Sequence, residues 1–329
     1  MDSQKHYTLT VRPEHTNFRL DKFIAEQLPD FSRSKIQNLM MQGMISLDNN
    51  PAYDCAHKVK AKETYFIKIP QASPSYLEPK EIPLDIIFED QDLIVLNKQA
   101  GLTTHPGAGN QGNTLVNALL FHCGSSLSTI GIEHLRPGIV HRLDKNTSGI
   151  MVVAKNDLTH ASLAKQIQMR QLTRQYTAIV FGVPKPLIAT INASIGRSSQ
   201  DRKKMAVIAY GGKIAITHYE VIEILAKGSA SIIKCSLETG RTHQIRVHLN
   251  HAGYSIVGDQ EYGNVRHKKI RSFSKEAQEC LLTFKRQALH STCIKFTHPI
   301  TNKILEFTAK MPDDLCQLIA LIKNIDKEL

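Results

Sequence analysis

The sequence predicts an α+β fold in which helices flank a mixed, mostly antiparallel sheet. Many short strand-like runs in the second half of the chain are separated by Gly and Pro, and they do not alternate regularly with helices, which disfavours a doubly wound or barrel α/β fold. A stretch with four prolines (Pro70, Pro74, Pro79 and Pro83) divides the chain. Since 329 residues suit about two domains, we expect domains at residues 1–75 and 85–329, joined by a linker at 76–84.

The N-terminal segment predicts a small module of two helices and a sheet. A strand is expected at 7–11, followed by a helix with apolar periodicity at 18–28. A second helix begins after Ser32 and stops at Gly43, and strands at 44–47 and 64–69 complete the module. The helices carry four cations, Arg19, Lys22, Arg33 and Lys35, which serve either solubility or the binding of an anionic partner.

The elements of the second domain follow from periodicity and from turn and cap residues. A hairpin is expected at 84–88 and 93–98, and Ile139-Val140 predicts a strand leading into a charged turn, with a second strand at 150–154. Helices are expected at 114–122, 156–171, 242–253 and 313–325, and strands at 174–182, 189–195, 204–209, 215–225, 231–237, 293–296 and 304–308. Residues 266–279 are basic and polar, which favours a mobile insertion.

Composition favours an intracellular protein that binds nucleic acid. Lys and Arg outnumber Asp and Glu by 41 to 30, for a net charge of +11, and such an excess suits a polyanionic partner. No apolar run approaches the length of a membrane-spanning helix, and the N-terminus lacks the apolar core of a signal peptide. The six cysteines form no CxxC pair, which favours reduced thiols in the cytoplasm.

One charged stretch, residues 141–149, is the first candidate for catalysis. It places Asp144 between Arg142 and Lys145, next to apolar runs on both sides. Charges are costly to place inside a sheet, so a fold that holds them there suggests a functional site. A solvated hairpin turn is the alternative.

A second dense stretch, residues 238–249, adds histidines and arginines. Three functions then compete: a metal site, a glycosidase, and an enzyme that uses a single aspartate on RNA. A metal site built on the histidines lacks an HExxH motif and ligand spacing to a carboxylate or cysteine. A glycosidase needs two working carboxylates, and only Asp144 qualifies. The glycine-rich loop at 101–112 lacks the Gly-Lys-Ser/Thr ending of a P-loop. An enzyme that uses a single aspartate on RNA remains.

The chain resembles the RluA/RluD-type pseudouridine synthases. The resemblance rests on residues 138–149, on Thr239–His248, and on Arg174–Ala178, Asp201–Val207 and Arg286–His290, which occur in the family's order. Gln99 stands where the family usually has proline, and Asn146 where an acidic residue is common. The family implies isomerisation of uridine to pseudouridine in RNA, which needs no cofactor and no metal because the redox state is unchanged.

The resemblance also implies roles for individual residues. Asp144 would be the catalytic carboxylate, as nucleophile or base. A guanidinium would keep it ionised, because burial alone favours the protonated form; Arg246 is the expected partner, and Arg241 would bind phosphate. The remaining expected site residues are Arg142 against the RNA, Tyr176 and Ile245 against the base, and Arg202 and Lys203 on the RNA.

The N-terminal module resembles an S4-type RNA-binding domain through residues 19–23, 32–35 and 43–45. This resemblance implies that its second helix lies on RNA phosphates, which position the substrate without reading its sequence. Together the two resemblances imply a cytoplasmic monomer that modifies large-subunit (23S) ribosomal RNA, free or in a pre-ribosomal particle. The expected target is the intersubunit stem-loop.

Overall fold

The computed structural model describes residues 5–29, 31, 33–48, 50–69, 77–107, 112–263 and 270–323. The chain divides into two compact units, Met1–Pro74 and Ser75–Leu329. Pro70 and Pro74 of the proline-rich stretch lie outside the described residues. Leu77, Ile82 and Leu84 pack against the hydrophobic core of the second unit.

The first unit combines two helices with a four-stranded antiparallel sheet. The strands are β1 (Lys5–Thr10), β2 (Ile45–Leu47), β3 (Asn50–Pro51) and β4 (Thr64–Ile69), in the order β1-β4-β2-β3, and the helices are α1 (Leu20–Gln27) and α2 (Arg33–Met41). Phe23 and Ile24 of α1 pack with Ile36 and Leu39 of α2 in a core of their own. Gly43 ends the α2 segment with a left-handed backbone, φ 70°, which glycine adopts readily.

The second unit is built from a large sheet, a small hairpin and helices. Its strands are β5 (Asp85–Glu89), β6 (Leu93–Lys98), β7 (Ser148–Ala154), β8 (Thr173–Phe181), β9 (Ile188–Asn192), β10 (Ile195–Arg197), β11 (Met205–Val207), β12 (Ile216–Leu225), β13 (Ala230–Leu237), β14 (Leu289–Thr297) and β15 (Ile304–Thr308). Its α-helices include α3 (Leu115–Cys123), α4 (Asp157–Gln168), α5 (Gln244–His251), α6 (Lys275–Thr283) and α7 (Asp313–Lys323).

The large sheet is mostly antiparallel, as the sequence predicts. Among the described residues its order is β5-β6-β7-β14-β8-β13-β12-β9, and β15 pairs with β14. Of the strand pairs that the structure describes in this sheet, only β7–β14 is parallel. Strands β10 and β11 form a separate hairpin. The sheet therefore brings the start of β7 next to the centre of β8, across the single strand β14.

Helices cover both faces of the sheet around β7, which is buried at every residue. On one face Val152 packs with Leu163 of α4. On the other, Met151 and Val153 join the main core with Leu119 of α3. Burial on both faces explains why β7 is an unbroken apolar run instead of an alternating one.

Four local expectations differ from the structure. Ile139-Val140 is not a strand; Ile139 makes only an isolated bridge to Val153, because the His141 ring takes the Val152 N–H. The expected strand at 189–195 is split between β9 and β10, and α5 begins two residues after Thr242. The expected insertion at 266–279 contains the start of α6, whose first turn Ser274 caps by accepting the Ala277 N–H; residues 264–269 lie outside the description.

Gly149 is expected to be intolerant of any side chain. Its φ is 118°, and a Cβ would overlap the backbone of Ser291 where β7 meets β14. Gly149→Ala is expected to lower the free energy of unfolding by roughly 3 kcal/mol, from strain and overpacking together, measured by urea unfolding. Gly101→Ala is the control: its φ is 90° but no atom lies within 4 Å of the added Cβ, so the loss should be only about 1 kcal/mol. Equal losses for the two variants would contradict this explanation.

Candidate active site

A cavity of about 310 Å³ opens in the second unit beside β8. Three segments supply most of its lining: the loop before β7, the start of β8 and the first turn of α5 with the loop before it. All six of the catalytic-site residues expected from the sequence line it: Asp144, Arg142, Tyr176, Arg241, Ile245 and Arg246. The fold thus brings together residues separated by up to about a hundred positions.

The loop that carries Asp144 is held by hydrogen bonds to its backbone carbonyls. The Lys145 carbonyl accepts from the Gly101 N–H at 2.9 Å and from Lys98 Nζ at 3.2 Å. The Leu143 carbonyl accepts from Thr104 Oγ1 at 2.8 Å. Asp144 is therefore flanked on both sides by anchored peptide groups, which fixes its position in the cavity wall.

Lys98 is a buried anchor that sequence reasoning did not assign to the site. It is 1% exposed, and its ammonium group also donates to the carbonyls of Gln99 and Leu102, at 2.9 Å each. Burial lowers the pKa of Lys98 to about 7, against the raising effect of the Asp144 charge. In the sequence, Lys98 is simply a lysine at the end of an apolar strand. That position does not show whether the side chain is buried and holds a loop or lies on the surface.

Arg246 connects Asp144 to a second carboxylate. Its Nη1 donates to Asp144 Oδ2 at 3.1 Å, while Nε and Nη2 bind both oxygens of Asp259, at 2.7 and 2.9 Å. Nη2 also donates to Glu261 at 3.1 Å. Burial alone would lower the pKa of Arg246, but these carboxylates raise it above the ordinary value. The guanidinium is permanently charged and fixed in orientation beside Asp144.

The start of α5 sets the orientation of Arg246. Gln244 fixes this turn, because its Oε1 accepts from the Arg241 N–H at 3.0 Å and its Nε2 donates to the Ile216 carbonyl at 3.0 Å. His243 has a left-handed backbone, φ 56°. The Tyr262 ring lies under the Arg246 guanidinium, 4.9 Å from ring centre to Cζ, a cation–π contact.

His243 is a second nitrogen group close to the aspartate. Its Nε2 lies 3.9 Å from Asp144 Oδ1, and its Nδ1 lies 2.8 Å from the Tyr262 hydroxyl. Asp259, Glu261 and Tyr262 were not assigned to the site from sequence. They lie 13 to 16 positions beyond Arg246, in a loop whose composition gives no sign of a shared ion-pair network.

Two apolar side chains and two exposed cations complete the expected set. Tyr176 of β8 and Ile245 of α5 are buried in the cavity wall, and burial raises the pKa of Tyr176. Arg142 and Arg241 are exposed; Arg241 Nε donates to the Ile214 carbonyl at 3.0 Å. The cavity therefore combines apolar surface from Tyr176 and Ile245 with the aspartate and two exposed arginines.

The cations expected to bind RNA lie elsewhere and are partly engaged within the protein. Arg19 and Arg33 both donate to the buried Asp21, at 3.2 and 3.0 Å, and Lys22 lies 3.6 Å from Glu26. Lys35 is on α2, with its side chain outside the description. Two further cations, Arg202 and Lys203, are exposed between β10 and β11.

Asp90, Asp92 and His298 are close enough together to suggest a metal site. His298 Nδ1 accepts the N–H groups of Ile300 and Thr301, so Nε2 carries the ring proton and donates to Asp90 at 2.8 Å. These bonds explain the cluster as a hydrogen-bonded turn. Within the described part of the chain, no helix has the length and apolar character needed to cross a bilayer.

Comparison with known proteins assigns the chain to a family. The family model for RNA pseudouridylate synthase matches residues 92–251. A ribosomal large subunit pseudouridine synthase D from Zymomonas mobilis is 45% identical over 319 residues, covering 95% of this chain and 96% of that protein. A protein of the same name from Neisseria meningitidis serogroup A is 41% identical, over 98% of this chain and 83% of its own length. The solved structure of the human protein RNA pseudouridylate synthase domain containing 1 is also similar. It has a TM-score of 0.54 and 25% identity to this chain, and the match covers 78% of this chain and 91% of that one. The chain therefore belongs to the RNA pseudouridine synthases and is an isomerase that acts on RNA.

Proposed function

We propose that this isomerase converts uridines of large-subunit ribosomal RNA to pseudouridine, with Asp144 as its catalytic carboxylate. The observation that carries the proposal is the Asp144–Arg246 ion pair in the wall of a nucleoside-sized cavity. The relatives named as large-subunit rRNA enzymes support the substrate class. The intersubunit stem-loop is the proposed target within that RNA.

The reaction exchanges one bond to the ribose for another. The bond from uracil N1 to C1′ breaks, the base turns, and a bond from C5 to C1′ forms; C5 then loses its proton and N1 gains one. Asp144 acts on the ribose, either by attacking C1′ or by removing a ribose proton. Arg246 holds the carboxylate in place through a direct hydrogen bond, and its own second contact, to Asp259, prevents the guanidinium from turning away.

The other cavity residues hold the extruded nucleotide. A base must leave its stack to react, at a cost of a few kcal/mol. Tyr176 and Ile245 offer apolar surface to the uracil ring. Arg142, exposed at the cavity mouth, fills the vacated gap or clamps the RNA backbone. Arg241, also exposed, binds phosphate.

The substrate class is tested with transcripts of both ribosomal subunits. The protein is incubated with large-subunit and small-subunit rRNA transcripts, and pseudouridines are mapped by carbodiimide modification and primer extension. We expect new sites only in the large-subunit transcript, with at least one in the intersubunit stem-loop. Modification confined to the small-subunit transcript would contradict the proposal.

The first unit is proposed to act as an S4-like RNA-binding domain. Lys22 and Arg33 are exposed cations of this unit, and Arg19 is partly exposed. A chain lacking residues 1–75 is expected to bind large-subunit rRNA roughly 10-fold more weakly, with a shallower dependence of log Kd on log salt, because phosphate contacts release counterions. Binding is measured by filter retention across a salt series. An unchanged Kd and slope would rule out this role.

We further propose that the enzyme works as a monomer in the cytoplasm. Asp144, Tyr176 and Arg246 come from one chain and line one cavity. The six cysteines are free thiols, which suits a reducing compartment. Size-exclusion chromatography with light scattering tests the first part of the proposal; a stable dimer would contradict it.

A further inference from the structure

Arg174 is a buried cation in the same cavity that the reaction above does not use. It lies on β8, two residues before Tyr176, and both side chains line the cavity. Arg174 is 5% exposed, and its Nε has no hydrogen-bond acceptor. Within the described part of the chain, no carboxylate pairs with it. A guanidinium is always charged, and burying one without a counter-charge is costly.

His141 also lines this cavity, and it has a second buried donor without an acceptor. Its Nε2 accepts the Val152 N–H at 3.1 Å, and burial, reinforced by the Arg174 charge, lowers the pKa of His141 to about 3. The ring is therefore neutral and carries its proton on Nδ1. Nδ1 is buried and has no acceptor. Buried donors are normally satisfied, so two in one cavity indicate a ligand with acceptor oxygens.

The surroundings favour an anion over a neutral ligand. The first turn of α5 opens onto the cavity together with the loop before it, and a helix N-terminus attracts negative charge. Gly240 in that loop leaves room beside the guanidinium, because a Cβ there would lie 3.0 Å from Arg174 Nη1. Among the described residues that line the cavity, Asp144 is the only carboxylate, and Arg246 already engages it.

We propose that Arg174 and His141 form a phosphate subsite that holds a non-bridging oxygen of the RNA backbone next to the extruded uridine. The inference rests on the proposed function for the identity of the strand. A phosphate matches the two-pronged geometry of a guanidinium and supplies the negative charge that Arg174 lacks. The His141 Nδ1–H adds a neutral hydrogen bond to the same group. Arg174 is thus a binding residue, distinct from the Asp144–Arg246 pair.

RNA binding tests the subsite directly. Arg174→Met keeps much of the side-chain volume and removes the charge; Lys303→Ala, an exposed cation outside the cavity, is the control. We expect Arg174→Met to raise the Kd for the RNA about 10-fold and to reduce the slope of log Kd against log salt by about 0.7, the value for one phosphate contact on a single strand. Arg174→Lys is expected to retain the slope and lose less affinity. The control should match the wild type.

A chemically altered RNA identifies the ligand as a phosphate. The substrate is a synthetic stem–loop that the wild type modifies, with a neutral methylphosphonate placed on either side of the target uridine. At one of these positions the wild type should lose affinity, and Arg174→Met should lose no more, because both changes remove the same contact. Equal additional losses at both positions would show that Arg174 binds another group, such as a uracil carbonyl, and would overturn the proposal.

Thermal unfolding separates a binding role from a structural one. Removing an unpaired buried charge is expected to leave the Tm of the free protein unchanged or higher. A Tm that falls by several degrees in Arg174→Met and recovers in Arg174→Lys would show a structural cation and overturn the proposal. So would wild-type affinity and salt slope in Arg174→Met, which would mean that water satisfies these donors.

A failure of the proposed function can be distinguished from a failure of the phosphate subsite. If the wild type modifies no uridine in the rRNA transcripts, the substrate assignment fails, and the Kd and salt slope are then measured on an oligouridine. A reduced slope in Arg174→Met would support the subsite even then, whereas an unchanged slope would overturn it.

Discussion

Asp144→Asn is expected to abolish pseudouridine formation, with a loss of at least about 10⁴-fold in the single-turnover rate. The amide has nearly the same shape as the carboxylate, but it is neither a nucleophile nor a base at neutral pH. RNA binding should survive, because the substitution changes a single group in the cavity wall and Arg246 keeps its two bonds to Asp259. The rate is measured by tritium release from RNA labelled at uridine C5.

The control for this variant is Asp313→Asn, which changes an exposed carboxylate outside the cavity in the same way. It should react at the wild-type rate. A Tm for Asp144→Asn within a few degrees of the wild type, with an RNA Kd within about threefold, would attribute the lost rate to chemistry. If Asp144→Asn fails to bind RNA, its inactivity would not establish the catalytic role, and the binding expectation would be wrong.

Arg246→Met is expected to reduce both stability and activity. The change leaves the buried Asp259 without its guanidinium, and breaking a buried ion pair from one side costs about 3–5 kcal/mol. Asp144 loses its aligned counter-charge, so the single-turnover rate should fall about 10²- to 10³-fold even where the variant is folded. Urea unfolding and tritium release measure the two effects. Arg170→Met, which breaks a single exposed pair with Glu238, should cost less than about 1 kcal/mol.

The stability loss in Arg246→Met should depend on pH in a defined direction. In the wild type, burial would raise the pKa of Asp259, but the bonds from Arg246 hold it below the ordinary value. Its contribution to stability is therefore present above the ordinary pKa and is lost as the pH falls through the lowered one. Without the guanidinium, burial dominates and the carboxyl favours its protonated form. The difference in stability between wild type and variant should grow as the pH rises from about 4 to about 7; a pH-independent difference would contradict the assignment.

Sequence patterns could predict the sheet because its strands are apolar and well separated. The hairpin of β5 and β6 and the long strand β8 follow directly from runs bounded by turn residues. The strand predicted at Ile139-Val140 is absent because the Val152 N–H donates to the His141 ring instead of to a strand partner. A backbone hydrogen bond donated to a side chain eleven residues away does not alter the apolar periodicity.

The site could be predicted in part. Motif resemblance singled out Asp144, Tyr176 and Arg246, which the fold brings to one cavity. Lys98 and Asp259 were missed as supporting groups because their roles depend on contacts across the fold: Lys98 reaches the Lys145 carbonyl, 47 positions away. A short stretch of sequence does not indicate a contact between residues so far apart in the chain.

Arg174 illustrates a different limit. The sequence places it in a recognisable strand motif, where a cation beside an aromatic residue is unremarkable. Its lack of a partner is a property of the packed structure, because only there do burial and the missing acceptor become visible. The feature that suggests a ligand is thus an unsatisfied group, which composition and spacing do not encode.

The catalytic role of Asp144 is tested most directly by a single-turnover reaction with large-subunit rRNA transcript. Wild type and Asp144→Asn are each used at protein concentrations above their own Kd for the RNA. The wild type is expected to release tritium from uridine C5 to a yield matching the pseudouridine mapped in the product. Asp144→Asn, bound to the same RNA, should release none above the protein-free control. Tritium release by Asp144→Asn at the wild-type rate would contradict the assignment of Asp144 as the catalytic carboxylate.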